Sequence, residues 1–154
     1  MPTTTAPPLL RRQPTAVDAF TPVVFVVDDD LSIRTAIGRL LQSVGYAFET
    51  YGAGNEFLRR AEHGATGCVL LDVRMPDVSG IEVQQLLNAG GNDIPVIFVT
   101  GYADVSLTVR AMKAGALDYI TKPIRPEQLK HVVDQAQEVV LLGREHEALR
   151  EEET

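Results

Sequence analysis

Residues 23–30 read VVFVVDDD, five apolar residues that run without a polar interruption into three consecutive aspartates. A strand lacking polar alternation is one covered on both faces, as the inner strands of a parallel sheet are. Side chains at the carboxyl ends of parallel strands meet along one edge of the sheet, where ligand sites form. The same arrangement recurs along the chain: CVLL ends at Asp72, VIFV at Thr100, and LDYIT at Lys122. Short β-branched runs alternate with segments of helical period, which is the mark of βα repeats. The spacing predicts strands at 23–27, 46–50, 68–71, 96–100 and 117–121. It predicts helices near 31–44, 54–63, 80–89 and 104–114, with a last helix from about residue 126. Asp30 is placed to cap the first helix, Ser79 or Asp77 the third and Asp104 the fourth, while Gly45 follows the end of the first. Right-handed crossovers between five such units give an α/β fold: a doubly wound, five-stranded parallel sheet in a three-layer sandwich.

The chain has 154 residues, 45% of them hydrophobic, which suits one globular domain. A net charge of −7 and a pI near 4.9 argue against a nucleic-acid surface here, because phosphate binding needs clustered Lys and Arg. If DNA is the eventual target, another segment must touch it. Cys68, the single cysteine, lies inside CVLL and reads as a small core residue in a reducing compartment. No apolar run is long enough to cross a bilayer and no secretory pattern opens the chain, so the expected location is the cytoplasm.

Three segments are expected. Residues 1–21 contain TTT, PP and little periodic apolar content, the composition of a flexible arm. Residues 22–137 form the domain, and 138–154 extend its last helix. In that extension Val139, Leu142 and Leu149 continue the apolar spacing of Leu129, Val132 and Ala136, beside a polar face of Glu145, Glu147, Arg150 and Glu151 to Glu153. Two readings stand: an exposed amphipathic end, or a dimerising or linker coiled coil whose seam Gly143 and His146 interrupt.

Taken alone, Asp28-Asp29-Asp30 reads as a solvated turn with one helix cap. Asp72, at the end of another apolar strand of the same sheet edge, changes the reading. Two carboxylates about 4 Å apart repel by roughly 4 kcal/mol at an effective dielectric near 20, and a hard divalent cation removes that conflict. Oxygen ligands open to water suit Mg²⁺, or Mn²⁺, better than zinc. His63, His131 and His146 form no metal motif and read as surface residues. Lys122, before Pro123, brings an ammonium that holds an anionic group, and Thr100, before Gly101, brings a hydroxyl with open access. Carboxylates, a metal, an ammonium and a hydroxyl around one pocket describe a phosphoryl-transfer site.

VVDDD at 26–30, LLDVRMPDVSG at 70–80, VTGYAD at 99–104 and AMKAGALDYITKP at 111–123 together resemble the receiver domain of two-component response regulators. The resemblance covers about Val23 to Gln137. It implies the flavodoxin-like (βα)5 receiver fold, with Asp72 as phosphoacceptor, Asp29 as direct Mg²⁺ ligand, Asp28 as a metal-site acid acting partly through water, and the backbone carbonyl of Arg74 completing the ligands. It further implies that Lys122 binds phosphoryl oxygens, that Thr100 turns its hydroxyl to them after transfer, and that Tyr119 is the aromatic switch. The Lys122–Pro123 bond is commonly cis in such proteins. Arg74 and Tyr102 would flank the phosphoryl group, and their bulk leads us to expect slow decay of the phosphorylated state.

The implied partners are a sensor histidine kinase and, after phosphorylation, a second copy met through the fourth helix and fifth strand. The implied function is phosphorelay signalling by a phosphoacceptor that is not a turnover enzyme. GYADVSLTVRAMKAGALDYITKP is most similar to the FixJ/NodW type, whose receiver is followed by a LuxR-class helix-turn-helix domain. No such domain follows within these 154 residues, so the expectation is the receiver part of a transcription regulator, or else a stand-alone receiver or adaptor. A metal-dependent phosphatase would want a second acid two residues after the nucleophile, where Arg74 stands after Asp72. A dinucleotide-binding loop is prompted by Gly52-Ala-Gly54, but Phe57 occupies the place of its third glycine.

Overall fold

The computed structural model describes residues 22–101 and 105–153, with side chains at 22–101 and 106–143. Its elements follow in the order β1 (Val23–Val27), α1 (Leu31–Ser43), β2 (Phe48–Tyr51), α2 (Gly54–Glu62), β3 (Gly67–Asp72), α3 (Gly80–Ala89), β4 (Val96–Thr100), α4 (Val105–Lys113), β5 (Asp118–Thr121) and α5 (Pro126–Glu153). The strands form one sheet in the order β2-β1-β3-β4-β5, every pair parallel. The strands β1, β3 and β4, apolar up to their carboxyl ends, are thus the inner ones, with helices on both faces as their lack of alternation requires.

Successive residues of a strand point to opposite faces, and β1 divides itself accordingly. Phe25 and Val27 pack with Phe57, Leu71, Val83 and Phe98 on one face, and Val24 and Val26 with Ile37, Leu41, Leu70 and Val133 on the other. Cys68 is fully buried in the second layer. Burial pushes its thiol up to about 12, so it stays an unreactive thiol of the core.

Most elements lie where the periodicity places them, and the departures have local causes. The second strand starts at Phe48 rather than 46, because Tyr46 is occupied in ending α1. Its main-chain N–H donates to Leu41 O at 3.0 Å, and its hydroxyl to Asp134 of α5. The fifth strand starts at Asp118, although the Leu117 N–H already donates to Val96 O. Ser79 caps α3 through a capping box with Glu82. Asp77 instead accepts from the N–H groups of Gly54 and Asn55 at 3.4 and 3.0 Å, which serves the start of α2, where Ala53 has no side chain to cap with. The cap expected from Asp104 lies outside the described residues.

Helix α5 buries Leu129, Val132, Val133 and Ala136 against the sheet and then runs on without a break, leaving Val139, Leu141 and Leu142 exposed. The expected boundary at 137 is therefore a change of burial within one helix.

Gly67 opens β3 with φ +141°, and a Cβ there would stand 1.8 Å from the main-chain oxygen of Val23. A clash with backbone in the middle of a sheet has no flexible neighbour to absorb it. Gly67→Ala is expected to cost about 3 kcal/mol or more in urea unfolding, whereas Gly64→Ala, where a Cβ meets nothing within 4 Å, is expected to cost about 1 kcal/mol from its positive φ alone.

Candidate functional site

The ladder between β1 and its neighbours carries one residue beyond the strand: the Asp28 N–H donates to Tyr51 O at 3.1 Å. This draws Asp28 into the sheet, where it is 2% exposed, while Asp29 stands at the surface of the turn. Asp28 Oδ1 accepts from the Asp30 N–H at 2.9 Å, and Arg34 Nη1 donates to the Asp28 carbonyl at 2.6 Å. Asp30 is consumed as the cap of α1. It accepts from the hydroxyl and the N–H of Ser32, and these bonds hold its carboxyl below the usual carboxylate range.

Asp72 is the last residue of β3, in register with Val99 of β4, and is 6% exposed. Carboxylate oxygens of Asp28, Asp29 and Asp72 lie within 4.8 Å of one another. Lys122 is delivered by β5: its N–H donates to Thr100 O at 2.9 Å, and its bond to Pro123 is cis. Its Nζ stands 3.4 Å from Asp28 Oδ2 and 3.6 Å from Asp72 Oδ1. Thr100 ends β4 and is 1% exposed, and its hydroxyl has no hydrogen-bond partner among the described residues. Arg74 is exposed, and its N–H donates to Asp72 Oδ1 at 3.4 Å. Tyr119 lies on β5 in register with Phe98, with its ring partly exposed at 39%. His63 and His131 are exposed and outside the pocket. Tyr102 lies outside the described residues.

Two contributors carry no local signal of their own. Gly80 lets α3 close on the end of β3, because a Cβ there would stand 2.4 Å from Asp72 O. Arg34, a residue of ordinary helical spacing in α1, holds the Asp28 carbonyl.

Burial, and then the neighbouring Asp28 carboxylate, push the Asp72 carboxyl up to about 6 against the opposing pull of Lys122 and the Arg74 N–H. Three carboxylates thus face one ammonium. Asp28 Oδ2 is buried and accepts no hydrogen bond, its contact with Lys122 being an ion pair without hydrogen-bond geometry. A buried anionic oxygen without a donor, beside two more carboxylates, fits a hard divalent cation with oxygen ligands. Mg²⁺ suits this donor set, and Mn²⁺ accepts it too.

A parallel sheet in 2-1-3-4-5 order with such an acidic pocket at its carboxyl edge defines the receiver class. The chain belongs to that family: the response regulator receiver domain matches residues 24–134. The response regulator protein TodT of Pseudomonas putida is 42% identical over 107 residues, 70% of this chain and 47% of TodT. Nodulation protein W of Bradyrhizobium diazoefficiens is 42% identical over 116 residues, 75% of this chain and 51% of that protein. The structure of the response regulator StyR superposes with a TM-score of 0.78 at 39% identity, covering 86% of this chain and 67% of StyR. The chain spans about half the length of the curated relatives it matches. It is a receiver of phosphorelay signalling, and its relatives include the transcriptional regulatory protein FixJ of Bradyrhizobium diazoefficiens, 35% identical over 113 residues, 73% of this chain and 55% of FixJ. Among the described residues no helix is long and apolar enough to cross a membrane.

The raised Asp72 carboxyl has a consequence for stability. Between about pH 4 and 6 the folded protein keeps a proton that the unfolded chain, with its carboxyl near 3.8, has already released. Ionising Asp72 therefore destabilises the fold progressively between about pH 4 and 6, and fully above that. Asp72→Asn is expected to raise stability by about 2 to 3 kcal/mol at pH 7.5 in chelator, by urea unfolding, with the gain fading toward pH 4.

Proposed function

We propose that Asp72 is the phosphoacceptor, that Asp28, Asp29, Asp72 and the Arg74 carbonyl hold Mg²⁺, and that Lys122 and Thr100 bind the transferred group. The observation that carries this reading is the convergence of three carboxylates and one ammonium from three strand ends on one pocket. Asp72 is mostly ionised at neutral pH despite its burial, so one of its oxygens attacks the phosphorus in line. The bond from phosphorus to the donor breaks, and an acyl phosphate forms on Asp72. The cation, when bound, supplies charge neutralisation for the phosphoryl oxygens. The ammonium of Lys122, shared between Asp28 and Asp72 before transfer, moves onto a phosphoryl oxygen. The unpaired hydroxyl of Thr100 donates to another, and the ring of Tyr119 turns inward as that hydroxyl moves.

The donor in this reading is a sensor histidine kinase, and the domain, residues 22–137, works in the cytoplasm as a phosphoacceptor rather than a turnover enzyme. After transfer, α4 and β5 meet a second copy through a face that includes the exposed Val109, Met112 and Tyr119. Relatives in which the matched stretch is only about half of the protein support a transcriptional output, with DNA touched by a domain other than this one. The alternative is a receiver acting alone or as an adaptor. Arg74 beside Asp72 supports slow decay of the acyl phosphate.

Incubation with a cognate kinase or a small acyl phosphate and Mg²⁺ is expected to add one phosphoryl group to the peptide containing Asp72, read by mass spectrometry. Asp72→Asn is expected to remain unlabelled, and Lys122→Ala to lose about tenfold or more in labelling rate. Undiminished labelling of Asp72→Asn would contradict the assignment.

A further inference from the structure

We propose that the connection from β2 to α2, residues 51–55, is a frame that positions both halves of the acidic pocket from outside it. Arg34 and Asp77 are its positioning residues, and they set the pocket's affinity for a divalent cation, a role that rests on the cation assignment proposed above. Neither residue is among the three acids that converge in the pocket. Gly52 and Gly54, which lack the third glycine of a dinucleotide loop, each find their use in this frame.

The first half is the end of β1. A Cβ on Gly52 would stand 3.1 Å from Nη1 of Arg34, the atom that donates to the Asp28 carbonyl at 2.6 Å. Bare backbone at 52 therefore leaves the guanidinium its place. The Tyr51 carbonyl accepts the Asp28 N–H at 3.1 Å. Both main-chain polar groups of Asp28 are thus engaged, one by the end of β2 and one by the side chain that passes Gly52.

The second half is the loop between β3 and α3. A Cβ on Gly54 would stand 2.5 Å from Val78 Cγ1 and 3.3 Å from Met75 Cε, so this loop sits directly on the start of α2. Asp77 secures it there, accepting from the N–H groups of Gly54 and Asn55 at 3.4 and 3.0 Å. Those groups open α2 and have no partner within the helix. The loop carries Arg74, whose N–H donates to Asp72 Oδ1 at 3.4 Å, and the Gly80 N–H closes it onto Val73 O at 2.9 Å. A cation binds a set of oxygens held in place more tightly than one it must first order. Charge alone makes the opposite demand of Arg34, because removing a positive group beside three carboxylates would tighten the binding of another cation.

The test is titration of the full chain with Mg²⁺, followed through main-chain amide resonances, with urea unfolding of each variant alongside. Asp77→Ala and Arg34→Ala are each expected to weaken binding about tenfold. Asp77→Asn, which loses the charge but keeps an oxygen for the Asn55 N–H, is expected to stay within about threefold of the parent. Gly64→Ala, which lowers stability away from the frame, is expected to leave affinity unchanged. Without metal, the Arg74 amide is expected to exchange about tenfold faster in Asp77→Ala. Unchanged affinity in Asp77→Ala or Arg34→Ala overturns the proposal, as does tighter binding by Arg34→Ala, a loss in Asp77→Asn equal to that in Asp77→Ala, or an equal loss in Gly64→Ala. A parent chain that binds no Mg²⁺ contradicts the cation assignment as well, whereas parent binding that the variants match contradicts the frame alone.

Discussion

Mutual repulsion among Asp28, Asp29 and Asp72 is the constraint around which the carboxyl edge of this sheet is arranged. Two of the three are almost fully withdrawn from water, at 2% and 6% exposure, where an ionised carboxylate is stable only with compensation. Lys122 neutralises part of that charge from 3.4 and 3.6 Å. The compensation is incomplete, as the raised Asp72 carboxyl records. A pocket with more carboxylates than ammonium groups carries an excess of negative charge that suits a divalent cation. In the proposed function, a phosphoryl group arriving with that cation draws the ammonium of Lys122 away from the carboxylates.

The fold makes this conflict unavoidable. Parallel pairing of β1 with β3 sets Val27 opposite Leu71, so the residues that follow, Asp28 and Asp72, emerge side by side. Gly80 lets α3 approach the end of β3, and the bond from the Lys122 N–H to Thr100 O ties the end of β5 to that of β4. Thr100 then stands between the pocket and the outer strand with an unspent hydroxyl. Its register partner on β5 is Thr121, two residues from the partly exposed ring of Tyr119. A change at the pocket has a short path to the surface through these two strands.

Much of this was legible in the sequence because the deciding residues sit at the ends of uninterrupted apolar runs. VVFVV, CVLL and VIFV admit little besides inner strands of a parallel sheet, and five parallel strands bring their carboxyl ends together. Less legible was whatever depends on partners distant in sequence. Asp77 reads as a cap for the helix that follows it, yet it serves α2, 22 residues earlier, because Ser79 and Glu82 already satisfy α3. Tyr46 falls within the strand expected at 46–50, but α1 and Asp134 claim it. Gly80 and Arg34 leave no local mark, because the contacts that require them exist only once α1 and α3 have docked.

The central claim is that the three carboxylates form one cation site whose charge controls the pocket. Titration of the full chain with Mg²⁺, followed through main-chain amide resonances, tests it most directly. Saturable one-to-one shifts centred on residues 28–30 and 72–74 are predicted, weakened about tenfold or more by Asp29→Asn. Shifts that are absent, that centre elsewhere, or that Asp29→Asn leaves unchanged would contradict the account.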